Sequence, residues 1–418
     1  MTTAELPALW RNGDYLRYRF ARVTSMLGSQ ISVIAYPLLV LGLGGTLVQA
    51  GALTTCRLAV GTACKLPAGY LADRHSPRAL MIWMDVLRLI CVATIPLAGI
   101  AGVLSYPQLV AVAVVEGTAS AVFGPAATVS LRALVPSVQL TTALGQAQSA
   151  AALVALLGPA AGGLLYGIDR MLPFTVDAVS YALSAALLLS VRLQQERASR
   201  QPSRQGIAAG LRWLCRRGPV IRVVLFCGVS NLVGATLTTA LILNLREHGA
   251  AAGTIGLVMT CGGCGAVVGS LAAPRLLRLG PARVFLASGL VSAAGLVVYA
   301  IAFSPWVAGV VLVPLLSLSP AAGVSLAKIT RDEAPPELLG RASTAEQLIT
   351  GGPAAAGPVL AGFLLAALGA PTLWLLLAGL CLLATAITIA PLLYLTRRRP
   401  VGGPAGAVAD RRADQARS

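Results

Sequence analysis

Charge is what this 418-residue chain has least of. Asp, Glu, Lys and Arg make up 11% of it, against roughly 25% in a soluble domain. Hydrophobic residues make up 56%, and the mean hydropathy is +0.79. No water-facing core could bury that much apolar surface, so hydrocarbon is the solvent that fits. Histidine occurs only as His75 and His248, both between apolar runs. No cluster of acids or His, and no nucleophile beside a base, accompanies them, which argues against a membrane-embedded enzyme and against a metal centre. The absence of a G-x-x-x-x-G-K-[ST] loop argues against nucleotide-driven transport. Aromatics are only 5% of the chain, and the Lys and Arg behind the net charge of +17 are spread over one alternating set of loops rather than gathered on a folded basic face, so the charge does not read as a nucleic-acid surface. The eight Cys are scattered. Cys261 and Cys264 form a CxxC in a Gly-rich run with no second pair, and they read as small packing residues. No cofactor or metal is expected.

What is present is a series of runs long enough, at roughly 20 apolar residues each, to cross a bilayer. Twelve are counted: 23–43, 51–71, 79–101, 108–130, 141–167, 173–191, 220–243, 253–273, 284–303, 306–327, 342–366 and 372–395. Of the 32 Lys and Arg, Arg170 and Arg246 fall in one alternating set of loops. Arg57, Lys65 and Arg88 fall inside spans, and the rest lie in the other set. That asymmetry predicts cytoplasmic termini in a multi-pass protein of the inner (plasma) membrane. The stretch to Arg22 carries both charge signs and no short apolar h-region follows, so no cleaved signal peptide is expected. The expected organisation is a cytoplasmic segment 1–22, a six-helix bundle 23–191, a basic cytoplasmic loop 192–219, a second six-helix bundle 220–395 and a disordered cytoplasmic tail 396–418. The fold class is an all-α integral membrane protein.

The two blocks repeat. Gly158-Pro159-Ala160-Ala161-Gly162-Gly163 in span 5 meets Gly357-Pro358-Val359-Leu360-Ala361-Gly362 in span 11 at an offset of 199. Pro136 meets Pro335 and Gln148 meets Gln347 at the same offset. Near it, Gly69 meets Gly269 and Arg78 meets Arg278. Duplicated halves with a substrate site between them are a common transporter architecture.

Two stretches carry mechanism. In Gly69-Tyr70-Leu71-Ala72-Asp73-Arg74-His75-Ser76-Pro77-Arg78, between spans 2 and 3, Gly69 permits close helix approach. Asp73 is placed to accept from Arg74, Arg78 or a helix N-terminus across the half interface; an ordinary solvated turn is the alternative. In span 5, Pro159 removes a helix hydrogen bond, while Gly158 and Gly162 permit close packing, a pattern that also fits generic membrane-helix packing. The first stretch resembles the loop 2–3 motif of the major facilitator superfamily, G-x-L-A-D-R-x-G-R-R, with Ser76 and Pro77 departing from it. The second resembles the core of the span 5 motif of that superfamily's drug:proton antiporters, with Val154 in place of an upstream Gly. Leu9-Trp10-Arg11-Asn12, Leu27-Gly28-Ser29-Gln30, Phe174 to Ser180 and Pro335 to Arg341 resemble the branch that includes macrolide effluxers and the enterobactin exporter. Many relatives have Asp where this chain has Ser29, which weakens a proton-coupling role for span 1.

Charges inside spans need partners or a wet cavity. Arg57 and Glu116 lie about 10 and 13 Å deep at 1.5 Å per residue, depths that suit an ion pair or a shared cavity. Glu116 is the candidate protonation site, and a static buried pair is the alternative. Lys65, Asp85 and Arg88 form a second intramembrane group that reads as structural. Asp177 and Glu346 lie near span ends and read as interfacial. The resemblance, the repeat and the membrane carboxylate together imply a monomeric exporter of hydrophobic or amphiphilic small molecules by proton antiport. The alternatives are an exporter of one anionic metabolite such as a siderophore, with Arg57 and Lys65 lining its site, then uptake, then a membrane-embedded non-transport protein.

Overall fold

A computed structural model of the protein describes residues 9–192, save 66, 69–70 and 72–74, and 208–398, save 336 and 337; from 390 to 398 it describes the backbone alone. The described residues form helices, turns and connecting loops, with no strand among them.

The first half holds α1 (Gly13–Gly42), α2 (Leu47–Ala63), α3 (Pro77–Ile100), α4 (Tyr106–Leu134), α5 (Leu140–Ile168) and α6 (Leu172–Leu189). A short helix α7 (Ala208–Arg216) precedes the second half: α8 (Gly218–Glu247), α9 (Ala252–Leu277), α10 (Pro281–Ile301), α11 (Pro305–Ser317), α12 (Ser319–Glu333), α13 (Leu339–Gly351), α14 (Gly357–Leu368) and α15 (Ala370–Arg398). The tenth and eleventh spans are each assembled from two helices, α11 with α12 and α13 with α14. Eleven described segments are long and apolar enough to cross a membrane, and α2, continuous over 17 residues, occupies the remaining position. The protein is a multi-pass membrane protein. Large side chains such as Trp83, Leu97, Ile100, Leu271 and Val310 point outward uncovered, as a hydrocarbon solvent allows.

Packing repeats as the sequence does. In the first half α6 packs on α1 and α3, α5 on α1, and α4 on α2 and α3. In the second half α15 packs on α8 and α10, α14 on α8, and α11 on α9 and α10, each the counterpart six spans on. The turns after α1 and α8 also match. Gly44 and Gly249 each sit at φ 79°, a left-handed conformation that favours glycine.

Three boundaries differ from the expectation. First, α1 begins at Gly13 rather than 23, because its polar first turns are buried against the bundle. Tyr18 donates to the Ala127 carbonyl at 2.6 Å and Tyr15 to Gln146 at 2.8 Å. Second, the tenth span breaks at Leu318, and the eleventh passes through a 3-10 turn at Pro353–Ala356. Hydropathy does not register such breaks; prolines 314, 320, 353 and 358 supply them. Third, part of the basic central segment is helical in α7. Of the tail expected to be disordered, all but residues 396–398 lies outside the described residues.

The halves meet along two pairs of helices that the repeat relates to each other, α2 with α14 and α5 with α9. The glycines that permit these contacts sit near the ends of their helices opposite the face that carries the chain termini. A Cβ on Gly51 would strike the Pro358 carbonyl, and one on Gly362 the Leu47 carbonyl. A Cβ on Gly163 would come within 2.9 Å of Gly256, and one on Gly256 within 2.6 Å of the Pro159 carbonyl. The Val359 amide also donates to Thr55 Oγ1 across the interface at 2.9 Å. The far face is therefore closed by backbone against backbone.

Candidate functional site

The span 5 glycines divide their work. Gly158 packs on Gln30 and Gly162 on the Ile31 carbonyl, both within the first half, whereas Pro159 and Gly163 face α9 in the second. Of the loop 2–3 residues, Gly69, Asp73 and Arg74 lie outside the described residues. Arg78 donates from Nε to the Leu188 carbonyl at 2.9 Å and from its terminal nitrogen to the Leu189 carbonyl. It caps the C-terminus of α6 within its own half, where a cation meets the negative end of the helix dipole. The two departures from the family motif have a local reason. Ser76 is the N-cap of α3 and Pro77 opens its first turn, a standard helix start.

In the middle of the first half, polar side chains line matching stripes. On α1 they are Ser25, Ser29 and Ser32; on α6 they are Asp177, Tyr181 and Ser184, both at i, i+4, i+7. A Cβ on Gly28 would collide with Ser180, so α1 and α6 approach closely enough for the stripes to bond. Ser32 donates to Asp177 Oδ2 at 2.6 Å, Ser29 and Tyr181 hydroxyls meet at 2.8 Å, and Ser184 donates to Asp85 Oδ2 at 2.6 Å.

Glu116 on α4 is fully buried. Tyr36 donates to its Oε2 at 2.6 Å and Tyr181 to its Oε1 at 3.2 Å. Arg57 Nε lies 3.6 Å from Oε2, and the guanidinium carbon is 5.9 Å from the Tyr36 ring centre. Glycine sets this pairing too. A Cβ on Gly117 would strike the Arg57 carbonyl, and one on Gly61 would come within 3.3 Å of the Gly117 carbonyl, so α2 carries Arg57 directly onto α4. Deeper toward the terminal face, Arg88 pairs with Asp85 Oδ1 at 2.7 Å, and Ser25 donates to the same oxygen at 3.3 Å. The Arg88 guanidinium also stacks 4.6 Å from the Tyr181 ring and 4.7 Å from Phe123. Tyr181 thus touches both ion pairs and joins them into one network.

One expectation is corrected by burial. Asp177, expected at the interface, is fully buried, and its Oδ1 has no hydrogen-bond partner. It stands within the α1–α6 contact because the stripe on α6, not its distance from the span end, decides which way it faces. Glu346 is half-buried inside the second half and accepts from Thr330 at 2.5 Å. Lys65 is exposed, and the contacts of Asp85 are Ser25, Arg88 and Ser184, so Lys65 does not join that pair. No group of three or more potential metal ligands occurs among the described residues.

The Major Facilitator Superfamily profile matches this chain twice, over residues 20–245 and 224–415, which are essentially the two halves. The Multidrug efflux pump Tap of Mycobacterium bovis (strain BCG / Pasteur 1173P2) is 26% identical over 242 residues, 54% of this chain and 55% of that protein. The Tap pump of Mycobacterium tuberculosis (strain ATCC 25618 / H37Rv) matches to the same extent. The chain thus matches about half the length of these curated relatives. Among solved structures, a bacterial homologue of the human lysosomal transporter Spinster superposes with a TM-score of 0.76 at 15% identity, covering 93% of this chain and 98% of that one. The nucleoside transporter NupG gives 0.72 at 15% identity over 91% and 99%. A bacterial homologue of the iron transporter ferroportin gives 0.72 at 15% identity over 94% and 100%. With a twofold-repeated six-helix fold, a family profile that covers both repeats and neighbours of the same architecture along nearly the whole chain, the protein belongs to the Major Facilitator Superfamily of transporters.

Proposed function

We propose that this protein exports hydrophobic or amphiphilic small molecules across the plasma membrane by proton antiport, working as a monomer with both termini in the cytoplasm. The observation that carries the coupling is a charge count. Asp85, Glu116 and Asp177 are buried with Arg88, and Arg57 reaches them partly exposed, three carboxylates against two guanidiniums. An unbalanced charge in such surroundings is costly, and one proton removes the imbalance. Asp177 has no cation within ion-pair reach among the described residues and holds the proton while Arg57 holds Glu116. When Arg57 moves away, Glu116 becomes the carboxylate that needs it. Glu116 is therefore the coupling group, and Arg57 the element that couples its proton to helix movement.

The efflux direction and substrate class are supported by the similarity to the Tap pumps and by the span 5 motif at the α5–α9 contact. The Lys and Arg asymmetry supports cytoplasmic termini. A site for an anionic metabolite finds less support, since Arg57 is committed to Glu116 and Lys65 is exposed. The test is transport in proteoliposomes with an imposed pH gradient. Efflux of an amphiphilic dye should follow the gradient and should carry protons the opposite way. Dye movement that neither responds to the gradient nor shifts protons rules out the reading.

A further inference from the structure

The second half contains a cavity of about 470 Å³ lined from α8, α10, α11, α12, α13 and α15, within the range of roughly 300–1,000 Å³ typical of small-molecule sites. It lies inside one six-helix half, away from the charge network of the other.

Its lining has three chemical parts. One wall is apolar and includes Phe226, Leu315 and Leu326. Around it, Ser230, Ser288, Ser292 and Ser319 line the space, and none of these hydroxyls has a hydrogen-bond partner among the described residues. By contrast Asn231 and Thr350, also in the lining, are engaged with backbone carbonyls at 2.9 Å. The third part is a single carboxylate. Among the described residues Glu346 is the only carboxylic acid in the lining, and no Lys, Arg or His is found there. One of its oxygens is held by Thr330, which fixes the carboxylate in place. Glu346 stands seven residues into α13, about 10 Å along the helix axis, and is half-buried.

A carboxylate at membrane depth without a cation is a functional feature unless something neutralises it. The first half pairs two of its three buried carboxylates with arginines; in the second half Glu346 has no ion pair among the described residues and shares its cavity with unspent hydroxyls and an aromatic ring. We propose that this cavity is a binding site for a singly charged amphiphilic cation, with the cationic centre at Glu346, polar substituents on the free serines and the apolar body against Phe226 and the leucines. The charge attracts strongly in such low-dielectric surroundings, and an aromatic ring adds to the preference for a cation. An anion of the same shape meets only repulsion from Glu346. This deepens the exporter reading by naming the substrate's charge, and it rests on that reading for its place in transport, though not for binding itself.

The test is equilibrium binding to the purified full chain in detergent, without any gradient, by fluorescence polarisation. Rhodamine 123, a xanthene cation, and fluorescein, its anionic counterpart, are the probes. Rhodamine 123 should bind, and fluorescein should neither bind nor compete. Glu346→Gln keeps the acceptor for Thr330 and should weaken rhodamine binding about tenfold or more, the scale of losing one charge-assisted contact. Glu346→Asp should retain part of the affinity. Ser292→Leu, which fills the cavity and leaves the acid alone, should abolish binding. Should Glu346→Gln lose its fold, as judged by thermal unfolding, Ser292→Leu and the probe pair still decide. Unchanged affinity in both Glu346→Gln and Ser292→Leu, equal competition by fluorescein, or no rhodamine binding to the folded wild type overturns the proposal. Failure here with proton-linked efflux intact removes the site and leaves the exporter. Glu346-dependent binding without proton-linked flux does the reverse.

Discussion

Glu116→Gln is nearly isosteric and removes one charge from the buried network. With two carboxylates, Asp85 and Asp177, against Arg57 and Arg88, the count balances without a proton. The variant should therefore bind and move substrate down its gradient while releasing about one proton fewer per cycle than the wild type, a difference that follows from the buried charge count. The structural cost falls on Arg57. Removing one partner from a buried ion pair costs about 3–5 kcal/mol. The Arg57 side chain keeps 18% of its exposure, so solvent offsets part of that loss, and a destabilisation of about 1–3 kcal/mol is expected. Tyr36 and Tyr181 still reach the amide, which limits the damage. The assay pairs two measurements on the same proteoliposomes: substrate counterflow, which needs no net proton movement, and pH-gradient-driven efflux with a trapped pH dye. Counterflow should persist while gradient-driven efflux and dye response disappear. Proton-linked efflux in Glu116→Gln at wild-type stoichiometry would refute the charge-count argument.

Asp177→Asn balances the same count from the other acid and should uncouple in the same assay; combining it with Glu116→Gln leaves a net positive interior, so the double variant should unfold at a lower temperature than either single one. Ser29→Asp adds a fourth carboxylate beside Tyr181, which favours bound protons, so the efflux profile should shift to more alkaline pH. Arg78→Ala leaves the Leu188 and Leu189 carbonyls without their donor and should lower stability by about 1–2 kcal/mol, with thermal unfolding as the readout and Arg78→Lys recovering part. Gly51→Val puts a side chain against the Pro358 carbonyl and should open the far face, seen as faster labelling of a cysteine introduced at Thr55 by a membrane-impermeant thiol reagent; labelling no faster than in the parent would remove Gly51 from the seal.

The spans and their duplication were legible because each leaves a long one-dimensional trace: an apolar run, or Gly-Pro pairs returning at a fixed offset. Arg57 and Glu116 were matched by depth alone, and here depth sufficed because Gly61 and Gly117 bring their two helices together. Depth misled for Asp177 and Lys65. Counting residues from a span end gives height along a helix, whereas burial depends on the angle around it. That angle was written in the stripes Ser25-Ser29-Ser32 and Asp177-Tyr181-Ser184, which hydropathy does not register because serine is nearly neutral on such scales. The first turns of α1 were missed for a related reason. They are polar, and they are helical because Tyr15 and Tyr18 find partners on distant helices, a tertiary cause that no window along the chain contains.

The breaks in α11–α12 and α13–α14 have no equal in α4 and α5, which run unbroken at the corresponding places of the first half. The two halves share a topology but differ in stiffness. A continuous ladder of backbone hydrogen bonds bends as a rod, whereas a helix interrupted at Leu318 or at the Pro353 turn pivots at that point. In the transport cycle proposed above, rocking of the halves about the far-face glycines is therefore expected to be asymmetric. The first half is cross-braced by its charges, whereas the second is interrupted beside the space that Glu346 faces. Any bending at those breaks would reshape that space.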